Sequence, residues 1–268
     1  MNSIKKMMLS GALGCLISGM AYADGSSPQP VKPYWQDIQV VAVNKEKPRS
    51  SFMSYADRET ALTSRFEKSP YYSLLNGTWK FFFVDSYKDL PQNITDPSVN
   101  TSSWDDITVP GNWEVQGHGV AIYTNHGYEF KPRNPQPPLL PEANPVGVYR
   151  RDIEIPANWD NRDIYLHIGG AKSGLYVYLN GKEVGYSEDS KNPAEFLINK
   201  YLQPGKNVLT LKIFRWSTGS YLECQDFWRM SGIERDVFLW SQPKANQMPG
   251  LQIVTPQSAE VFRDDKVD

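Results

Sequence analysis

Three carboxylates, Glu223, Asp226 and Asp236, crowd into a stretch that also carries Trp216, Tyr221, Phe227 and Trp228. Acids gathered in this way are where proton transfer or nucleophilic attack would be sought. Closeness along the chain does not fix the separation of two carboxyl groups in space, however. The plainer assignment makes these loop and salt-bridge residues, with Asp226 paired to Arg229 or Arg235. Elsewhere the reactive groups are sparse. His118, His126 and His167 show no metal-ligand spacing, and Cys15 and Cys224 are the only thiols, so a zinc cluster is not expected. Each histidine is expected to be structural or on the surface.

Glu223 and Asp226 lie in, and Asp236 directly follows, one of two long segments, residues 109–147 and 216–235, that periodicity does not explain and that are dense in aromatics, Asn, Asp and Gly. Long loops of this kind on a β scaffold usually carry function, and the alternative is irregular packing against a neighbouring domain. The elements that would position them are strands. Residues 78–84 (TWKFFFV) follow an Asn76-Gly77 turn. Residues 148–155 alternate, with Tyr149, Ile153 and Ile155 on one side and Arg150, Asp152 and Glu154 on the other, Arg151 being the exception. Ile164, Leu166 and Ile168 repeat the pattern, as do Leu175, Val177 and Leu179 before an Asn180-Gly181 hairpin turn, and Leu209, Leu211 and Ile213 after Pro204-Gly205. With residues 237–240 these make at least six strands, which predicts an all-β fold, a jelly-roll sandwich. The best helix signal is residues 57–68, with Asp57 as N-cap and Pro70 ending it.

Residues 1–23 have the form of a secretory signal peptide: Lys5 and Lys6, an apolar run, then Ala21 and Ala23 before Asp24. A rival reading lipidates Cys15. Export to the periplasm or outside the cell is expected, and no later stretch approaches the roughly 20 apolar residues of a membrane span. Residues 24–70 are an irregular lead-in with the short helix, 71–243 the sandwich, and 244–268 a linker and the start of a further β domain. The formal net charge of −2, with both signs interspersed, gives no reason to expect nucleic acid or anionic membrane as a partner. With Cys15 removed, Cys224 stands alone and packing must supply the stability.

Six stretches, in order, resemble the N-terminal sugar-binding domain of family 2 glycoside hydrolases of the β-galactosidase type. They are SLLNGTWKFFF, VPGNWEVQGHG, AIYTNHGY, NPVGVYRRDIEIP, YLNGKEVGYSEDSKNPAEF and RWSTGSYLECQDFWRMSGIERDV. The resemblance covers residues 34–243. It implies a following immunoglobulin-like domain, of which residues 244–268 are expected to hold the linker and incomplete start, and then a (β/α)₈ barrel with the two glutamates of a retaining mechanism, which is expected to be absent from this chain. By resemblance, Asn125 of the YTN motif and Asp226 of the CQDFW motif reach into the sugar site, and Asp226 also helps hold a sodium ion beside the sugar 6-hydroxyl. An amide and a carboxylate together offer the donors and acceptors that hydroxyls need. Two structural alternatives stand beside this: Asn125 as a turn cap, and Asp226 as the salt-bridge residue above.

Trp216, Trp228, Arg229 and Gly232 fall within the match and are expected to be packing residues that hold the loop. Cys224 and Thr218 stand where the family usually has acids, which leaves no carboxylate at either place for a further divalent metal. The function implied is the sugar-binding region of an exported β-galactosidase acting on terminal β-galactosides, in a homo-oligomer when joined to its barrel. The alternatives are a free-standing lectin-like module, a domain that docks onto a separate barrel-bearing chain, and a β-glucuronidase or β-mannosidase relative. The YTN and QDFWRMSG stretches favour galactosides.

Overall fold

The computed structural model describes residues 32–130 and 134–244. The expected signal peptide, the first part of the lead-in and all but Lys244 of the expected linker and further domain lie outside the described residues. Every strand pair is antiparallel, and two sheets form the body. The larger runs in the order Ala42–Val43, Lys182–Ser187, Gly174–Leu179, Lys206–Phe214, Val146–Glu154, Gly77–Val84, Asp105–Val109. The smaller runs Ala194–Leu197, Arg162–Ile168, Val237–Pro243, Tyr72–Leu74.

The alternation predicted from sequence places the core between them. Trp79, Phe81, Tyr149, Ile153, Leu175, Val177, Leu209 and Leu211 of the larger sheet meet Ile164, Leu166, Ile168, Phe196, Val237 and Leu239 of the smaller. The Asn180-Gly181 turn has positive φ at both residues, 53° and 76°, the requirement for a tight two-residue hairpin. The jelly-roll sandwich is thus the fold.

On the polar side of residues 148–155, Asp152 and Glu154 face water as the alternation suggests, but Arg150 does not. Residues of the lead-in and of the 85–104 segment, among them Trp35, Ile94 and Trp104, cover the outer face of the larger sheet against Val146, Val148, Tyr176 and Phe214. Arg150 is therefore buried and spends its guanidinium on protein groups: Nη2 donates to the Ile94 carbonyl at 2.7 Å, and Nε to Thr210 Oγ1 at 3.1 Å. Arg151, the break in the pattern, caps the sandwich edge by donating to the carbonyls of Leu75 (2.6 Å) and Asn76 (3.0 Å).

The helix expected over residues 57–68 is shorter. It spans Arg58–Leu62, with Asp57 accepting from the Thr60 amide at 2.7 Å as the cap should. It buries none of its residues, so nothing rewards extension, and Ser64 at φ 53° breaks the path before a single 3₁₀ turn at Phe66–Lys68.

The two long segments are more ordered than a reading as irregular loops allows. They meet in two small sheets: a ribbon of Ile122–Thr124 with Phe227–Arg229, and a three-stranded patch of Gly111–Asn112, Gly232–Ile233 and Ala171–Lys172. Gly232 is required where it sits. Its φ is +108°, and a Cβ there would lie 2.7 Å from the hydroxyl of the buried Tyr149 and 3.1 Å from the Gly111 carbonyl. Gly232→Ala should lower the free energy of unfolding by about 3 kcal/mol through backbone strain and overpacking. A urea unfolding midpoint equal to the parent's would contradict that.

Candidate functional site

The short ribbon positions the two residues singled out by sequence. Phe227 pairs with Thr124, Trp228 with Tyr123 and Arg229 with Ile122. Continuing the register by one residue sets Asp226 across from Asn125, so chain positions about a hundred residues apart become neighbours at one end. Strand alternation then sorts the side chains. Tyr123, Asn125, Asp226 and Trp228 share the solvent face, and all four are exposed. Thr124 and Phe227 are half-buried on the opposite face, and Arg229 there is fully buried.

On the open face the Tyr123 hydroxyl donates to Asp226 Oδ1 at 2.7 Å, a bond that pushes the phenol pKa above its ordinary value. The ring of Tyr123 lies 5.7 Å from that of Trp228, tilted by 56°. Asn125 Oδ1 faces His126 Nδ1 at 2.7 Å, and the neighbouring Thr124 hydroxyl donates to the His126 carbonyl at 2.6 Å, which shapes the turn. With Asn125 Oδ1 as the acceptor, His126 Nδ1 is the donor of this contact, and no hydrogen bond engages the Asn125 amide nitrogen among the described residues. Asp226 keeps one oxygen beyond the tyrosine bond.

The pairing of Asp226 with Arg229 or Arg235 does not occur. Arg229 turns inward, with Nη1 and Nη2 each 3.4 Å from the carbonyls of Glu223 and Thr124 respectively. Arg235 donates to the carbonyls of Gly169, at 3.2 Å, and Lys191. The three clustered acids each take a separate partner. Glu223 accepts from the amide and hydroxyl of Ser190 at 2.8 and 2.6 Å, Asp226 from Tyr123, and Asp236 from Asn76 Nδ2 at 2.8 Å. Among the described residues no three metal-ligating side chains converge.

Beneath the ribbon lies a buried charged hub that sequence reasoning missed. Glu129 stands between Lys172 Nζ and Arg229 Nε, each 3.7 Å from its Oε2, and Arg215 Nε, 3.9 Å from its Oε1. All four side chains are at most 4% exposed. Trp216 Nε1 donates to Glu129 Oε1. Arg215 also reaches Glu114 Oε1 at 3.7 Å and donates to the Val120 carbonyl at 2.9 Å, while Glu114 Oε2 accepts from the Ser231 amide at 2.8 Å. Burial lowers the Lys172 pKa against the opposing pull of Glu129, and raises that of Glu114. The hub ties residues 114–129 to residues 215–231, and so fixes both strands of the ribbon.

A second buried carboxylate, Glu188, was equally invisible in the sequence. It accepts from Tyr186 Oη at 2.7 Å, the Thr218 hydroxyl at 3.0 Å and the Gly219 amide at 2.6 Å, and burial raises its pKa. Thr218 is thus the donor this acid needs, where an aspartate would bring a second negative charge into the same space. Cys224 Sγ donates to the Ser220 carbonyl at 3.1 Å, and burial raises its thiol pKa. Trp216, Arg229 and Gly232 are the packing residues expected. Trp228 is not, being 55% exposed because it falls on the ribbon's open side.

A jelly-roll sandwich whose loops present an amide, a carboxylate and two aromatic rings on one open face has the make-up of a sugar-binding domain. The model of the glycosyl hydrolases family 2, sugar binding domain, matches residues 72–243, and the chain belongs to that family. It is 40% identical over 217 residues to a beta-galactosidase of Priestia megaterium, a match covering 80% of this chain and 21% of the relative. It is 41% identical over 206 residues to a beta-galactosidase of Actinobacillus pleuropneumoniae, covering 77% and 20%. Among solved structures, Bacteroides uniformis beta-glucuronidase aligns with a TM-score of 0.49 at 22% identity, over 64% of this chain and 18% of that one. The chain spans about a fifth of the length of the curated relatives it matches.

Proposed function

We propose that this chain is the sugar-binding region of an exported β-galactosidase, and that it supplies one edge of the galactoside pocket while the catalytic barrel supplies the chemistry. The single observation that carries the reading is the ribbon's open face, where Asn125 and Asp226 stand side by side with a free amide donor and a free carboxylate oxygen. Asn125 donates to a sugar hydroxyl and Asp226 accepts from one. The resemblance to β-galactosidases at about two-fifths identity supports galactosides over other glycosides.

Asp226 also suits a sodium ion as one ligand, because its unshared oxygen is a hard, charged donor on an accessible face. Among the described residues this face offers no second carboxylate, so the remaining ligands come from the sugar and from the barrel. Residues 1–23 serve as the export signal, and the assembled enzyme is a homo-oligomer.

Retaining hydrolysis needs two carboxyl groups about 5–5.5 Å apart across the glycosidic bond. The loop acids Glu223, Asp226 and Asp236 each accept from a different partner, and the family resemblance puts the catalytic pair in the barrel. The purified chain should therefore leave an aryl β-galactoside unhydrolysed above background. Turnover that co-purifies with the chain and disappears on Glu223→Gln or Asp226→Asn would overturn the division of labour.

A further inference from the structure

We infer that the cleft between the lead-in and the outer face of the smaller sheet is a second binding site, and that it takes a pyranose ring of a neutral glycan. It shares no lining residue with the ribbon and does not rest on the galactoside reading.

The lead-in is tied to the sheet at two points. The Glu46 amide donates to the Glu195 carbonyl at 2.8 Å, and Arg49 donates to both Glu195 carboxylate oxygens at 2.9 and 2.7 Å. The Arg49 guanidinium lies over the rings of Phe52 and Trp240, at 4.3 and 4.4 Å. Beside these contacts a cavity of about 290 Å³ remains, at the small end of the range for ligand pockets. The sheet contributes Glu195, His167 and Phe238, set side by side on neighbouring strands, with the His167 and Phe238 rings stacked at 4.1 Å. Phe52 and Phe66 line it from the lead-in. Two polar groups in the cleft are uncommitted. His167 Nδ1 lies 2.8 Å from Glu195 Oε1. Burial alone would raise the Glu195 pKa, but the hydrogen bond from His167 and the charge of Arg49 bring it below its ordinary value. An ionised carboxylate only accepts, so Nδ1 donates and Nε2 is left as an acceptor. Among the described residues no hydrogen bond engages that Nε2 or the ammonium of half-buried Lys45 on the same cleft.

The charges that line the cleft are matched within it. Arg49 has Glu195, and Lys47 has Glu46 next to it in the chain. Burial lowers the Lys45 pKa, and the nearby charge of Asp189 opposes that shift. Asp189 also accepts from Asn192 Nδ2 at 3.0 Å through each of its oxygens, so this wall is set before a ligand arrives. Among these lining residues an ion meets no unmatched charge. The cleft offers aromatic rings beside one free donor and one free acceptor, which is what a pyranose needs. Its C–H groups pack on the rings, while its hydroxyls accept from Lys45 and donate to His167 Nε2.

The chain has three histidines, so their ring C–H resonances in NMR report where a sugar binds. His167 lines the cleft, His126 adjoins Asn125 on the ribbon, and His118 packs on Phe81 and Phe83 as an internal control. Each resonance is assigned by its disappearance in His118→Gln, His126→Gln or His167→Gln. The full chain is titrated at fixed pH with cellobiose, maltose and lactose, and separately with inorganic phosphate. His167 should move saturably with at least one disaccharide and stay still with phosphate. Phe52→Ala should abolish that saturation, and Lys45→Met should weaken binding about tenfold, with His118 unmoved in both variants. Movement of His167 while His126 ignores lactose would uphold the cleft and count against the ribbon. Movement of His126 alone would uphold the ribbon and overturn the cleft. A His167 response to phosphate alone would make the cleft an anion site, and one that follows protein concentration would make it a contact between copies. Either result overturns the inference, as does a His167 resonance that none of the three disaccharides moves.

Discussion

Glu129→Ala should lower the free energy of unfolding by about 3–5 kcal/mol, the cost of breaking a buried ion pair from one side. Its side chain is 3% exposed and lies within 4 Å of Lys172, Arg215 and Arg229, none of them more than 4% exposed. With Glu129 gone, three buried cations would face Glu114 alone among the hub carboxylates, and the Trp216 indole N–H would lose its acceptor. Each such uncompensated group costs far more inside the protein than in water. The Glu129 contacts to Lys172, Arg215 and Arg229, at 3.7–3.9 Å, are too long for hydrogen bonds, so charge rather than geometry holds them. Glu129→Gln, which keeps the shape and the acceptor oxygen for Trp216, should therefore still lose a large part of the stability. The exposed pair Lys206–Asp152, at 3.1 Å, is the contrast, and Asp152→Asn should cost about 1 kcal/mol or less. Urea unfolding of the three variants measures all of this. A Glu129→Ala loss no larger than that of Asp152→Asn would show that the hub does not hold the loops.

The difference between the sandwich and its loops explains how much the sequence disclosed. The body strands are long enough for their alternation to be read singly, as in Ile164, Leu166 and Ile168, and the Asn180-Gly181 turn identifies itself by chemistry. The ribbon strands have three residues each, too few for a period. Their faces emerge only from pairing across a hundred residues of chain. The same limit hid Trp228, whose motif context suggests packing although its place in the register turns it outward.

The buried acids were illegible for another reason. Glu129 and Glu188 look like surface residues in any local window, and only the folded chain brings cations to the first and hydroxyls to the second. Arg150 shows the converse case. Alternation gave its side of the sheet correctly, but the residues that cover that side come from the lead-in and the 85–104 segment, which carry little regular pattern of their own. Asn125 and Asp226 were found by resemblance to a family motif, and the geometry adds their adjacency and their free donor and acceptor.

The sugar assignment is tested most directly in an assembled enzyme, made by joining this chain to the remainder of a related β-galactosidase such as that of Priestia megaterium. Asp226→Asn keeps the side-chain shape and removes the charge. If Asp226 binds the galactose 6-hydroxyl and shares a sodium ion with it, kcat/KM for an aryl β-galactoside should fall at least about tenfold, or about 1.4 kcal/mol of transition-state stabilisation, and should lose its dependence on sodium. For the 6-deoxy substrate the same substitution should cost little, because the contact is already missing. The decisive measurement is therefore kcat/KM of the parent and Asp226→Asn enzymes on both substrates, with and without sodium. The assignment expects a large loss on the 6-hydroxyl substrate alone, together with the loss of sodium dependence. An equal loss on both substrates with sodium dependence intact would make Asp226 a loop anchor and contradict the site.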